Sequence, residues 1–249
     1  MLTRTLTAVF HGARCHALFG LGVGAMILAL YFGMSRSLGT LGAPWSYLAN
    51  AVLLLQFPLA HSLFLMPAGH RLLARLGPAN HGKTLATTTY ATIASVQLLL
   101  LFGLWTPSGV IWWQAEGAML WLMTGLFGLS WLLLLKASFD AGPELQSGFL
   151  GWWALLLGRK PKFPEMPVTG LFRLTRQPIY VTFAMTLWTV PVWTPDQLAV
   201  STVLTAYCVL GPRLKERRFE RMFGDRFERY REGVPYWIPS LTPLLRRSR

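Results

Sequence analysis

Apolar residues dominate six stretches of the chain, and charges collect between them. The stretches run near Ala17–Met34, Ser46–Met66, Leu85–Trp105, Trp112–Leu135, Pro178–Trp193 and Leu198–Leu210. A helix needs about 20 apolar residues to cross about 30 Å of hydrocarbon. The pattern predicts an all-α integral membrane protein with six transmembrane helices. The first stretch has no small-residue cleavage site and runs into polar MSRSLGT, so it reads as a retained helix. Past Leu210 the pattern changes. Gly211-Pro212 ends the sixth helix, and Phe219, Met222 and Phe223 then recur at helical spacing among charges. Gly224 breaks that run, and Asp225 is placed to cap a second short helix carrying Phe227 and Tyr230.

The chain reads as one membrane domain in three parts. Four helices occupy residues 1–136, a cytoplasmic loop 137–177, and a helix hairpin with an amphipathic C-terminal tail 178–249. Composition agrees: 53% of residues are hydrophobic and 13% charged, against about 25% charged in a soluble domain. Eleven tryptophans suit interfacial belts. The net charge of +13 does not point to nucleic acid, because the basic residues border apolar segments. Cys15 and Cys208 lie far apart without metal-ligand spacing, so neither a disulfide framework nor a metal site is expected.

Charge also orients the chain. With the N-terminus cytoplasmic, every Lys and Arg of the 23 except Arg36 sorts to the cytoplasmic side. The last two apolar stretches are short, about 24 and 20 Å of helix at 1.5 Å per residue. Their cytoplasmic ends are therefore expected to be recessed, with Arg173, Arg176 and Gln177 ringing a polar bowl. The simpler alternative lets these arginines snorkel to lipid phosphates. In the tail, Glu216, Glu220, Glu228 and Glu232 accompany the basic residues, which suits internal ion pairs better than an anchor on anionic lipid.

Within the spans, Gln56, His61, Ser62 and Gln97 are the candidate polar groups. His61 is the candidate proton acceptor for a thiol, whose free pKa of about 8.5 leaves little thiolate at neutral pH. Bonding to a neighbouring helix is the alternative for it. His70 and His81 read as interfacial loop residues, and Glu116 as interfacial. SGFLGWWALLLG, from Ser147, is too short to span and reads as a helix that lies in the interface or re-enters it, placed to roof the bowl. Asp140 either contributes an acid to the site or holds a loop.

GLFRLTRQPIYVTF from Gly170, a short hairpin, and KERRFERMFGDRFERYREGVPYWIP together resemble the C-terminal half of the membrane-embedded methyltransferases related to isoprenylcysteine carboxyl methyltransferase. That family shows Arg-His-Pro-x-Tyr, then a Glu-Glu pair, Phe-Gly-x-x-Tyr-x-x-Tyr and a closing Val-Pro. Upstream, FPLAHSLFLMPAGHRLLARLG and TTTYATIASVQLLLLFGLW resemble the nurim, NnrU and methanethiol S-methyltransferase branch. The resemblance implies S-adenosylmethionine, bound between hairpin and tail on the cytoplasmic side of a bacterial inner membrane. Arg173 and Arg176 then suit its carboxylate, Glu216 its amine or a ribose hydroxyl, and Tyr180 and Tyr230 its adenine. Two positions depart from the family: Gln177 stands where its histidine stands, and Lys215 replaces the first acid of the pair.

The expected partners are membrane lipid and a small or lipophilic methyl acceptor, foremost a thiol. Isoprenylcysteine carboxylate and lipid amines are alternatives. A competing class is a non-catalytic accessory subunit that keeps the fold and packs against another membrane protein. The topology is directly testable. A cysteine placed at Ser147 is expected to resist a membrane-impermeant maleimide in intact cells and to react in inverted vesicles. Labelling in intact cells refutes the assignment.

Overall fold

The computed structural model describes residues 1–240, so Arg246, Arg247 and Arg249 of the basic tail lie outside the described residues. Four helices are long and apolar enough to cross a membrane. They are α1 (Leu2–Tyr31), α2 (Trp45–Phe64), α4 (Gly82–Leu104) and α5 (Gly117–Asp140). No proline interrupts residues 2–31, so α1 starts well before the predicted Ala17 and reaches about 45 Å.

The six-helix expectation meets its limit in α8 (Pro178–Trp188) and α9 (Pro195–Leu210). Their 11 and 16 residues give about 16 and 24 Å of helix, short of a hydrocarbon core. α8 stops before Pro191, where the backbone turns extended as β2 (Val192–Trp193) and pairs with β1 (Trp113–Gln114). The Trp112 N–H donates to the Trp193 carbonyl at 2.9 Å. That pairing also moves the start of α5 from the predicted Trp112 to Gly117, with exposed Glu116 at its N-cap.

Among the described residues, five further helices lie outside these spans. α3 (Pro67–Leu76) was not expected. Pro67 occupies a first-turn position, where a missing N–H costs nothing, and His70 sits on this helix instead of in a loop. α7 (Phe149–Leu156) is the short tryptophan-bearing helix the sequence announced, preceded by the single turn α6 (Pro143–Gln146). In the tail, α10 (Pro212–Phe223) and α11 (Asp225–Gly233) break at Gly224 as expected. Asp225 is not the cap, however. Gly224 takes that position at φ +48°, and Asp225 is the first helical residue.

The chain divides into two compact units. The first comprises Met1–Trp113, Pro143–Phe163 and Val192–Gln197. Here α1, α2, α3 and α7 all pack on α4. Polar side chains act as interhelical ties, because an apolar surround offers no competing water. Gln97 Nε2 donates to Gln56 Oε1 at 2.7 Å, and Gln56 Nε2 returns a bond to the Gln97 carbonyl at 3.0 Å. Thr88 donates to the Gly148 carbonyl at 2.7 Å and accepts from the Trp152 N–H at 2.9 Å, so α4 supplies partners to the first turn of α7. His16 accepts from the Trp152 indole at 3.0 Å. Asp196 accepts from Trp105 Nε1 at 3.0 Å and from the Ser108 N–H at 2.9 Å, which pins the loop after α4.

The second unit comprises Gln114–Gly142, Pro164–Pro191 and the residues from Leu198 onward. α5 packs on α8 and on a 3-10 turn, Gly170–Arg173. Asp140, at the end of α5, holds that turn: its carboxylate pairs with Lys136 and accepts from the Leu171 N–H at 2.8 Å. Gly170 sits at φ +60°, and a Cβ there would collide with the Asp140 carboxylate. Backbone sign and space both demand glycine. Gly170→Ala is therefore expected to lower stability by more than about 1 kcal/mol, read as a fall in melting temperature in detergent. Gly125→Ala in α5, where a Cβ meets nothing within 4 Å, is expected to hold or raise it.

Candidate functional site

Arg176, Gln177 and Pro178 form the mouth of α8. Pro178 sets the first helical position, which leaves Gln177 at the N-cap. Its side chain does not cap. It turns to Glu216 on α10, and Gln177 Nε2 donates to Glu216 Oε1 at 2.8 Å. Arg176 meets the same carboxylate as a fork, Nε to Oε1 at 2.7 Å and Nη2 to Oε2 at 3.3 Å. Its Nη1 donates to the Val234 carbonyl at 2.6 Å and the Arg231 carbonyl at 3.0 Å. Four of the five guanidinium N–H groups available to any arginine are thus committed. The side chains of Arg176 and Glu216 are 11% and 13% exposed, so the pair is charge-assisted and largely withdrawn from solvent.

The extended segment after α11 closes over this pair. The Arg176 N–H donates to the Pro235 carbonyl at 2.9 Å, and the Ser240 N–H to the Leu174 carbonyl at 2.9 Å. Thr175 Oγ1 donates toward the Tyr236 and Trp237 carbonyls, each at 3.1 Å. The same segment repairs the end of α9. Pro212 has no N–H to offer the Cys208 carbonyl, one of the last carbonyls a helix leaves open. Trp237 Nε1 supplies it at 3.2 Å, and the Tyr236 hydroxyl serves the Val209 carbonyl at 2.8 Å. VPYWIP is therefore a clasp, tied to the residues before α8 and to the C-terminus of α9.

Two groups in this cluster have unusual surroundings. Gln177 is 0% exposed, and its Oε1 has no partner among the described residues. Its amide orientation follows from Glu216, since a carboxylate only accepts and so faces the NH2. The carbonyl oxygen is left as a buried acceptor without a donor, an arrangement that costs about 1–3 kcal/mol. Lys215 is the second. Its Nζ donates to the Arg176 carbonyl at 3.2 Å and lies 5.5, 5.7 and 5.9 Å from the ring centres of Phe219, Phe172 and Tyr180. Burial pushes its pKa down to about 7. Glu216 opposes that shift, whereas Arg218 and Arg176 reinforce it. The ring faces favour the ammonium, but they do not replace lost water.

The remaining expected residues divide clearly. Tyr230 joins the cluster through its hydroxyl, which donates to the Phe172 carbonyl at 2.7 Å, and burial raises its pKa. Tyr180 presents its ring toward Lys215. Arg173 is exposed on the 3-10 turn and takes no part in the Arg176–Glu216 network. His61 belongs to the first unit, on α2, where Nε2 lies 2.7 Å from the Tyr90 hydroxyl of α4. Of the tail acids, Glu220 and Glu228 pair with Arg231, while Arg226 reaches Glu165 at 3.1 Å. Sequence reasoning missed Phe172 and Phe219 as neighbours of Lys215. Phe219 was findable, since it stands four residues after Lys215 on one helix face.

A helical membrane protein in which an Arg-Gln-Pro mouth, a Lys-Glu pair and a Val-Pro clasp close on one another has the motif order of the isoprenylcysteine methyltransferase-like membrane proteins. Comparison with known proteins narrows this. The chain is 30% identical over 203 residues to the methanethiol S-methyltransferase of Pseudomonas deceptionensis, covering 80% of this chain and 76% of that protein. It is 27% identical over 194 residues to methanethiol S-methyltransferase 2 of Bradyrhizobium diazoefficiens, covering 78% and 73%. It is 28% identical over 197 residues to the methanethiol S-methyltransferase of Mycobacterium tuberculosis, covering 76% and 77%. The chain belongs to the methanethiol S-methyltransferase family. No protein-family model matches it, and no solved structure matches it significantly.

The Lys215 environment has a pH signature. The unfolded lysine keeps its proton to about pH 10.4, whereas the folded one releases it near 7. Between those values the unfolded state binds more protons, so stability rises with pH across the window and is flat below it. Melting temperature in detergent is expected to climb from pH 7 to pH 9. Lys215→Met is expected to remove that climb, and an unchanged slope in the variant assigns it to another group.

Proposed function

We propose that this protein is an S-adenosylmethionine-dependent integral membrane methyltransferase acting on a small thiol at a cytoplasm-facing site. Family membership supports methyl transfer, and the names of the relatives support a small thiol as acceptor. The observation that carries the site assignment is Gln177. A buried carbonyl oxygen without a donor, beside an anchored carboxylate, is an arrangement ready for a ligand that brings N–H or O–H groups. The amine and ribose hydroxyls of S-adenosylmethionine are such donors, so the residues present fit that cofactor.

In this reading Gln177 and Glu216 would hold the donor's polar groups, and the rings of Tyr180, Phe172 and Phe219 would provide a face for its cationic or aromatic parts. Arg176 is a positioning residue, because its guanidinium is spent on Glu216 and on the clasp. When bound, S-adenosylmethionine supplies an electrophilic methyl group. The chain's task is then alignment, exclusion of water and removal of the acceptor's proton.

Lys215 is the proposed proton acceptor. An amine poised near neutrality is matched to a thiol of pKa about 8.5, and its Nζ lies in the same cluster as Gln177 and Glu216. His61 is the competing acceptor, engaged with Tyr90. The six-helix topology belongs to the same proposal: the short pair α8 and α9 sinks the cluster below the bilayer surface, with both termini cytoplasmic.

The decisive measurement pairs cofactor calorimetry with transfer of labelled methyl to a panel running from methanethiol to longer thiols, a farnesylated cysteine and a phospholipid amine. Methanethiol and its short homologues are expected to be the acceptors. Gln177→Ala is expected to weaken cofactor binding by about 5- to 150-fold, the range of about 1–3 kcal/mol for a lost buried polar contact. Lys215→Met is expected to leave binding within a few-fold and abolish the pH dependence of transfer near 7, and His61→Ala to leave that dependence in place. Wild-type protein that neither binds the cofactor nor transfers methyl ends the enzymatic reading in favour of an accessory subunit.

A further inference from the structure

The junction of α3 and α4, in the first unit, carries a cleft of about 380 Å³ lined by Arg71, Arg75, Asn80, His81 and Lys83. Arg71 and Arg75 stand four residues apart, hence on one face of α3. Three features set this cleft apart from an ordinary solvated basic surface. No acidic residue lines it, and residues 1–115 contain no Asp or Glu at all. None of Arg71, Arg75 and Lys83 takes part in an ion pair among the described residues. The cleft is also concave, and its volume falls within the range of small-molecule pockets, about 300–1,000 Å³. Like charges gathered around a concavity without a counter-ion repel one another, and an anion relieves that repulsion.

The surroundings identify the anion. Met66, Leu72 and Leu76 are exposed at 42%, 42% and 58%, so α3 turns an apolar flank outward beside its arginines. α2 and α4, which bracket α3, are both long enough to cross a membrane. A short amphipathic helix between two such helices lies in the interface, its apolar flank toward acyl chains and its cations at headgroup level. The first turn of α4 also lines the cleft, and that helix has no side-chain cap. Its open N–H groups add donors suited to phosphate oxygens.

We infer that the α3–α4 cleft is a binding site for the phosphate headgroup of an anionic phospholipid, held by Arg71, Arg75, Lys83 and His81. The lipid's acyl chains run along the exposed Leu72 and Leu76 flank. The site is independent of the methyl-transfer cluster, which lies in the second unit, and so does not rest on the proposed activity.

The test measures lipid retention by native mass spectrometry of the full-length protein in detergent, with phosphatidylglycerol and phosphatidylcholine of identical acyl chains as probes. Wild type is expected to retain phosphatidylglycerol in preference to phosphatidylcholine. The triple variant Arg71→Gln, Arg75→Gln, Lys83→Gln is expected to lose that preference by about a hundredfold, at about fivefold for each basic residue removed. The charge-conserving pair Arg71→Lys, Arg75→Lys is expected to keep it. If the triple variant does not fold, Lys83→Gln alone is expected to show the single fivefold step. Equal retention of the two lipids by wild type, or an unchanged preference in Lys83→Gln and the triple variant, overturns the inference. Displacement of phosphatidylglycerol by sub-millimolar inorganic phosphate overturns the lipid assignment and makes the free ion the ligand.

Discussion

The second unit depends on one buried ion pair, Arg176 with Glu216. The pair joins residues 40 apart in sequence, and the spare donors of the same guanidinium reach carbonyls 55 and 58 residues away. One side chain thereby ties the mouth of α8, the first turns of α10 and the end of α11. Removing one partner of such a pair leaves an uncompensated charge, at about 3–5 kcal/mol. Further contacts hold the segment that carries Arg176. Asp140 holds the 3-10 turn, Gly170 permits that turn's backbone, and Pro178 starts the helix immediately behind Gln177.

The two units tie their helices through different polar contacts. The first ties α2 to α4 and α4 to α7 through neutral partners: paired glutamines, threonine hydroxyls and an indole on an imidazole. Such bonds are modest, about 1–2 kcal/mol each in apolar surroundings, and they leave Gln97 Oε1 and Thr87 Oγ1 without a partner among the described residues. The second unit is tied by the Arg176–Glu216 ion pair, with the open acceptor of Gln177 beside it. The proposed chemistry is placed in the second unit because the open acceptor of Gln177 lies beside the anchored Glu216 carboxylate.

Lys215 shows how position changes the meaning of a substitution. In the linear sequence it reads as a charge reversal against the motif of the resembled family. In the folded protein its amine lies among Phe172, Tyr180 and Phe219, and burial brings its pKa to about 7. The depressed pKa softens the repulsion between Lys215 and the neighbouring Arg176.

What the sequence determined by itself was whatever short-range pattern dictates. Apolar length located the four long helices, because crossing hydrocarbon demands uninterrupted apolar residues. Gly224 and the Trp152-Trp153 segment placed the tail break and α7, since both are local backbone and amphipathic signals. The order of the two charged motifs pointed to the family that the comparisons establish. Only the tertiary structure decided which charges answer one another. Nothing in linear spacing tells whether Arg176 faces a ligand or Glu216, or that Arg173, three residues earlier, stays exposed. α3 escaped notice for a related reason, as ten amphipathic residues between two apolar runs read equally well as a basic loop. Helix length and sign of charge are properties of neighbours along the chain, whereas pairing and burial are properties of neighbours in space. The open oxygen of Gln177 is of the second kind: an unmet bond exists only once every potential partner has been placed.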